Sequence, residues 1–358
     1  MPDRVRVGIV GAGIGQEHLQ AYRQLGEHFQ VVEVCDLDLA RAESAIAEVG
    51  ARGTVAGADP EALIARGDVD VVDVCLPPHL HVAWSLKALE AGKHVICEKP
   101  IATSLADLDR LEAAVIETGR QVFPVFQYRF GPETAKLRAM MAAGLTGRPL
   151  VASVETHWRR DAAYYDNPWR GTWKGEQGGA VLGHAIHAHD LLCAIFGPVD
   201  KVSAMLATRA NPIETEDCAA LAFRMANGAL ATSSVTLGAA DDTSRMRFVF
   251  EKMTVESDRA PYAPGCGTWT FQARGGAAEQ AEIDAVTSAE AVGFVGFLTA
   301  VSRALEGDTS DVVTLADGRR SIELVTAIYH AARRGEVVSL PLRDHHPLYG
   351  GWQPEERT

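Results

Sequence analysis

The sequence predicts a chain of two parts: an α/β part on a doubly wound parallel sheet, then an α+β part on a large, mostly antiparallel open sheet. Three observations carry that reading. Through residue 128, short apolar runs alternate with amphipathic helical stretches, as repeated βα units do. A glycine turn, Gly11-Ala12-Gly13-Ile14-Gly15, joins the first run to the first helical stretch. Beyond Pro132 longer strand-like runs follow, two of them joined by Asn227-Gly228, a strong hairpin signal. The expected domains are 1–128 and 129–358.

The chain has 358 residues, 47% hydrophobic and 23% charged, enough for two cores. Its net charge of −13 argues against nucleic acid and anionic membrane as partners. No apolar run reaches the roughly 18 residues of a membrane span. Met1-Pro2-Asp3-Arg4-Val5 leads straight into a strand pattern without an apolar signal segment, so a cytoplasmic location is expected. Six cysteines stand at 35, 75, 97, 193, 218 and 266 with no Cys-x-x-Cys. Cys35, Cys75 and Cys97 fall in or at the end of apolar runs, where cysteine acts as a small hydrophobe. Neither a disulfide framework nor a zinc site is expected.

Taken in order, Val5 to Val10 reads as a strand interrupted by Arg6 and Gly8, and Gln16 to about His28 as a helix. Glycines between them let a backbone approach a pyrophosphate, and the helix start offers free N–H groups. The usual spacing is G-x-G-x-x-G; here the third glycine comes one residue early. The next strand, 31–35, ends in Asp36, 25 positions after Gly11 and near the roughly 20 expected for a ribose-binding carboxylate. That carboxylate repels a 2′-phosphate and no arginine follows at once, which favours NAD over NADP. Helices at 39–49 and 61–66 precede a strand at 69–76 with Asp70 and Asp73 among its valines. Pro77-Pro78 breaks this strand and should line a cofactor cleft; a helix at 81–91 follows.

His94-Val95-Ile96-Cys97 reads as a short buried strand stopped by Pro100, which leaves Glu98 and Lys99 at its carboxyl end. In open parallel sheets ligands bind there. Alone, the pair would read as a solvated turn; the dinucleotide turn upstream and the histidines downstream argue for function. A helix at 105–117 and a strand at 122–126 close the series.

In the second part 133–143 reads as a helix, then 150–158, 199–208, 219–225, 229–237 and 245–255 as strands, and 288–305 and 314–334 as helices. Its chemistry concentrates in 155–190. His157-Trp158-Arg159-Arg160-Asp161 ends one strand, and Tyr164 and Tyr165 precede Trp169-Arg170. Gly178-Gly179-Ala180-Val181-Leu182-Gly183-His184-Ala185-Ile186-His187-Ala188-His189-Asp190 then runs into an apolar helix. On a helix His184, His187 and Asp190, at i, i+3 and i+6, share one face. Such histidines admit a metal, yet no cysteine or second carboxylate cluster accompanies them. They also admit plain packing, and each tryptophan admits either a sugar face or a core.

Gly11-Ala12-Gly13 with His18, Cys75-Leu76-Pro77-Pro78-His79-Leu80-His81, and the long run Ala88-Leu89-Glu90-Ala91-Gly92-Lys93-His94-Val95-Ile96-Cys97-Glu98-Lys99-Pro100 together resemble the glucose–fructose oxidoreductase / inositol dehydrogenase / rhizopine-catabolism (Gfo/Idh/MocA) family. Val125-Phe126-Gln127-Tyr128-Arg129-Phe130 resembles the segment where such chains leave the nucleotide domain. Ala316-Asp317-Gly318 and Gly335-Glu336-Val337-Val338-Ser339-Leu340-Pro341-Leu342 extend the resemblance to nearly the whole chain, thinning between 240 and 285.

The resemblance implies an NAD-binding Rossmann domain, then a domain whose open sheet face joins a homodimer or homotetramer. It implies NAD-dependent oxidation of a secondary alcohol on a small polyol: a sugar, sugar derivative or cyclitol. The cofactor would be held by Gly11, Gly13, Ile14, Gly15, Asp36, Leu76, Pro77, Pro78, His81, Glu98, Lys99 and Gln127. Lys99 would stabilise the alkoxide, and His187, which falls on the family's catalytic histidine, would exchange the proton. Arg129, His157, Trp169, Arg170, His184 and Asp190 would meet the substrate, and no metal is implied. The family motif carries an aspartate four residues before its histidine; here Gly183 replaces it, with His184 beside the gap. Two rival readings are an NAD-dependent glycoside-cleaving enzyme and a non-catalytic nucleotide sensor. The sensor is disfavoured because Lys99 and His187 are both present.

Overall fold

The computed structural model describes residues 4–262, 264–265 and 267–354; the terminal Met1-Pro2-Asp3 and Cys266 lie outside the described residues. The chain forms two compact units, Met1–Val125 with Phe294–Arg319, and Phe126–Gly293 with Arg320–Thr358. The segment Phe294–Arg319 thus belongs with the first unit, whereas the expected division placed everything beyond 128 in the second.

The first unit runs β1 (Val5–Val10), α1 (Gly15–Gln24), β2 (Phe29–Cys35), α2 (Leu39–Val49), β3 (Val55–Gly57), α3 (Pro60–Ala65), β4 (Val71–Val74), α4 (His81–Glu90), β5 (His94–Cys97), α5 (Leu105–Thr118) and β6 (Val122–Pro124). Its six strands are all parallel in the order β3-β2-β1-β4-β5-β6. Both faces of the central strands are buried, since Val7, Ile9, Val71, Val72, Val74, Val95 and Ile96 have no exposed surface. That is why these strands read as continuous apolar runs rather than alternating ones. Each such side chain contributes about 2 kcal/mol by its burial. Helix starts are set by side-chain caps: Asp38 accepts from Ala40 N, Asp59 from Glu61 N and Ala62 N, and Ser104 from Asp107 N. Left-handed glycines, Gly50 and Gly119, end α2 and α5. The strand order reverses between β1 and β4, so their carboxyl ends frame the crevice where such sheets bind ligands.

The second unit contains α6 (Pro132–Ala142), β7 (Pro149–Arg159), α7 (Trp173–Glu176), α8 (Ile186–Phe196), β8 (Val199–Ala207), β9 (Cys218–Met225), β10 (Leu230–Thr236), β11 (Gly238–Phe250), β12 (Met253–Glu256), β13 (Thr270–Ala273) and α9 (Ala277–Ala285). Helices α10 (Gly293–Leu305) and α11 (Leu315–Arg334) precede the two-residue β14 (Val338–Ser339). Eight strands form one sheet, β13-β12-β11-β7-β10-β9-β8-β14, antiparallel except for the β7–β10 pair. The strand expected over 245–255 is two strands that turn at Glu251-Lys252. No glycine or proline marks that turn; Arg148 fixes it by donating from its side chain and amide to the Glu251 carboxylate.

Alternation along β7 buries Val154, Thr156 and Trp158 on the face that α8 covers and turns Ser153, Glu155 and His157 to the other. That second face exposes Met205, Val151 and Leu230. The stretch Trp173–Phe196 has the length and apolarity of a membrane span, against expectation, but 83% of its most apolar window is buried inside the protein. It is a core element.

Candidate functional site

Chemistry in the first unit gathers at the carboxyl ends of its strands. Gly11 follows β1 with φ +102°, and a Cβ there would overlap the Cys75 carbonyl oxygen, so only glycine fits. Gly13 is exposed with nothing within 4 Å of a would-be Cβ. Its bareness answers to no neighbour in the protein and suits a pyrophosphate approaching the backbone. Helix α1 starts at Gly15, where a Cβ would come within 2.9 Å of Ile9 Cγ2. This glycine therefore does the helix-to-strand packing expected of the third fingerprint glycine, despite the shorter spacing.

Asp36, at the end of β2, accepts from Ala12 N (2.9 Å) and Asp38 N (3.0 Å), which pins its carboxylate beside the turn. Arg41 lies 4.0 Å from it, an arginine the immediate sequence context did not reveal. Ile14 is exposed, and Leu76, Pro77 and Pro78 are half-buried beyond β4. These residues fit a bound dinucleotide.

His81 departs from expectation. It is buried, with Nδ1 2.7 Å from Pro100 O and Nε2 2.6 Å from Leu76 O. Both ring nitrogens are spent on clamping two strand ends, so the residue supports the cofactor cleft without presenting a ring nitrogen to it.

Strand β5 delivers Glu98 and the half-buried Lys99 to its carboxyl end. The Glu98 amide continues the β4 ladder to Val74 O (3.0 Å), and the following Lys99–Pro100 peptide is cis. Behind this strand end lies a buried cluster that sequence reasoning left undeveloped. His18 Nδ1 is 2.8 Å from Asp73 Oδ2, and its Nε2 is 3.2 Å from Glu98 Oε1. Tyr22 donates to Asp73 Oδ2 (3.0 Å), and Cys75 Sγ lies 3.5 Å from His18 Nδ1. Burial disfavours the imidazolium, but the Asp73 carboxylate outweighs it and raises the His18 pKa well above its ordinary value. Burial first, then Asp73, holds the Cys75 thiol neutral. His18, Asp73 and Cys75 lie close enough together to suggest a metal. Their direct hydrogen bonds leave no room for an ion without parting them. A single charged residue in the valine strand 71–74 was the available signal, since a buried charge requires a partner.

In the second unit the histidine segment is not a plain α-helix. Val181–Ala185 forms a π-turn ahead of α8, a widening that recurs at functional sites. His184 and His187 are both buried. His187 stacks on Tyr128 (centroids 4.7 Å, planes 21° apart) and meets the edge of Phe126. His184 Nε2 is 3.2 Å from Tyr164 Oη, and its ring packs edge-on to Trp158. Arg170 donates to Tyr164 and to Glu176 (3.1 Å), and its guanidinium lies over the Tyr164 and Trp169 rings. Arg160, lying over Trp158 and Tyr164, extends the same aromatic and cationic set.

Asp190 accepts a bidentate pair from Arg129 (2.7 and 2.6 Å), which ties the 127–129 turn to α8. It therefore braces α8, where the resemblance implied a contact with substrate. Gln127, in the same turn, has a buried amide oxygen without a hydrogen-bond partner among the described residues. His189 is structural: it pairs with Ser233 (2.9 Å), and burial lowers its pKa to about 4. His157 is not brought to this cluster. It faces the opposite side of the sheet, paired with Ser234 (2.8 Å), because residues 157 and 158 alternate across β7.

The double glycine has a reason in Glu216. A Cβ at Gly179 would overlap the Glu216 backbone oxygen. The Glu216 carboxyl accepts from Val181 N (3.0 Å) and from Tyr329 Oη, which itself accepts from Gly179 N (3.1 Å). Burial pushes the Glu216 pKa up to about 7 against those hydrogen bonds. Sequence reasoning missed this residue because its partner Tyr329 lies 113 positions away.

Residues 5–126 match the oxidoreductase family described as GFO_IDH_MocA, NAD-binding Rossmann fold, and residues 134–256 match the GFO/IDH/MocA C-terminal domain. Inositol 2-dehydrogenase 3 of Saccharopolyspora erythraea is 38% identical over 150 residues, 41% of this chain and 44% of that protein. The match thus spans less than half of that relative's length. An inositol 2-dehydrogenase of Pseudarthrobacter chlorophenolicus is 26% identical over 98% of this chain and all of its own. The crystal structure of the WlbA dehydrogenase from Bordetella pertussis, in complex with NADH and UDP-GlcNAcA, superposes with a TM-score of 0.81 at 30% identity. It covers 95% of this chain and 100% of that one.

Proposed function

The chain belongs to the GFO/IDH/MocA family of NAD-binding oxidoreductases, and on that premise we propose that it oxidises a secondary alcohol of a sugar, sugar derivative or cyclitol. The observation that carries this reading is Lys99, an amine at the carboxyl end of β5 in the unit that bears the dinucleotide turn. Bound NAD supplies the hydride acceptor. The chain must then supply a positive group for the developing alkoxide and a base for the hydroxyl proton. Lys99 takes the first role and His187 the second. Glycines 11, 13 and 15 and Asp36 hold the dinucleotide. His184, Trp169 and Arg170 shape the substrate end, and Arg129 with Asp190 fixes α8 beneath them. The substrate is a small molecule, and the exposed sheet face with Met205, Val151 and Leu230 serves a homodimer or homotetramer. The five described cysteines, all free thiols, suit the reducing cytoplasm.

A second reading narrows the substrate to a nucleotide-linked uronic acid. It is favoured by the WlbA relative, bound to UDP-GlcNAcA, whose similarity runs through both units, whereas the 38% match to an inositol dehydrogenase covers only 41% of the chain. The test is NADH formation from NAD with monosaccharides, cyclitols, sugar acids and UDP-linked uronic acids. NADH from one class identifies the substrate class. Aryl glycosides cleaved without net NADH, or no turnover of any alcohol with NAD bound, would replace this reading by one of its rivals.

A further inference from the structure

One buried group in the first unit is left unused by that chemistry. A hydrogen-bonded line runs from Tyr22 Oη to Asp73, from Asp73 to His18, from His18 to Glu98, and from Glu98 Oε2 to the Lys99 backbone N–H (3.1 Å). It links α1, β4 and the end of β5. His18 and Asp73 have no exposed surface and Glu98 has 6%. The Phe294 ring covers the imidazole at 4.5 Å.

We propose that His18, held between the Asp73 and Glu98 carboxylates, is a positioning residue that fixes the Glu98–Lys99 strand end for catalysis. The inference rests on the reading of Lys99 given above. An imidazole that faces a carboxylate at each nitrogen can donate to both only when it carries both protons. His18 then offsets one of two buried negative charges, and Glu98 stays ionised to accept from the Lys99 amide in a charge-assisted bond. Without the imidazolium, two buried carboxylates lose the positive charge held between them, and either Glu98 takes a proton or the strand end moves. Either change reaches Lys99 through its own amide. A stabilising core cluster alone would not need its last bond to fall on the residue that carries the ammonium.

The experiment compares the unmutated protein with His18→Gln and Glu98→Gln. Glu98→Gln keeps the volume and the Asp73–His18 pair, so it decides the matter if His18→Gln does not fold. Lys99 is labelled competitively with acetic anhydride and read by mass spectrometry, with Lys252 of the second unit as internal standard; this needs no substrate. In folded variants Lys99 labelling should change at least about fivefold as the charge-assisted bond is lost, with Lys252 unchanged. With the alcohol that yields NADH in the screen, kcat should fall at least about tenfold, as a displaced catalytic group requires, with KM within about threefold. A folded variant with unchanged Lys99 labelling and unchanged kcat overturns the inference. A fully active Lys99→Ala instead overturns the assigned role of Lys99, and leaves the labelling result to stand by itself.

Discussion

The two units build their chemistry by different means. In the first, every candidate group sits where the backbone puts it: a turn after β1, a carboxylate after β2, a lysine after β5. In the second, the candidates are side chains gathered by contacts far apart in sequence, such as Tyr128 on His187, Tyr164 on His184 and Tyr329 on Glu216. Parallel sheets fix the position of their strand ends before any side chain is chosen. A histidine cluster spread over a π-turn and the start of α8 has no such frame and depends on what packs around it. The first arrangement suits a constant cofactor, and the second suits a variable substrate.

Mutation can sharpen that contrast. His187→Ala should lower kcat by about 10²–10⁴, the usual worth of a positioned proton acceptor. His184→Ala should instead raise KM about tenfold with kcat nearly kept, because that histidine belongs to the Trp158–Tyr164–Arg170 set. Steady-state kinetics of the two variants decide this; loss of kcat at His184 with His187 tolerant would reverse the roles.

Next in size is Glu216. Its folded pKa of about 7 exceeds the ordinary 4.5, so the folded state binds this proton more tightly than the unfolded one. Stability is then lost as pH rises from about 4.5 toward 7 and levels off above. From pH 5 to pH 8 the loss from this group is about 2–3 kcal/mol. Urea unfolding at both values should show that drop, and Glu216→Gln should remove it; an equal drop in the variant would place the titration elsewhere.

The smallest effect is expected at Asp36. On the proposed reading its carboxylate should set NAD above NADP, with Arg41, 4.0 Å away, opposing it. Asp36→Ala with Leu37→Arg should narrow the preference by about tenfold or reverse it, since close charges near a surface are worth about 1–4 kcal/mol. Equal affinity of the unmutated protein for both dinucleotides would remove the assigned role of Asp36.

Legibility followed the same division. The apolar runs, Asp36 and the Glu98–Lys99 strand end could be read directly, because strand, turn and helix are local patterns. The three-residue edge strand β3 escaped notice, as did the Glu251-Lys252 turn, which carries no turn residue. His157 was misplaced because sequence shows that two neighbours differ in face, not which face meets α8. Glu216 and Tyr329, 113 positions apart, gave no signal at all. The resemblance singled out His187 as a candidate, but the bidentate Arg129–Asp190 brace needed coordinates.

The central claim is that the reaction depends on an ammonium held at the end of β5. Kinetics and NAD titration of Lys99→Ala test it most directly. The alkoxide stabilisation lost is about 3–4 kcal/mol, so kcat should fall by about 10²–10³ while NAD affinity stays within about tenfold. A variant that retains more than about a tenth of kcat would make Lys99 a structural residue and contradict the account.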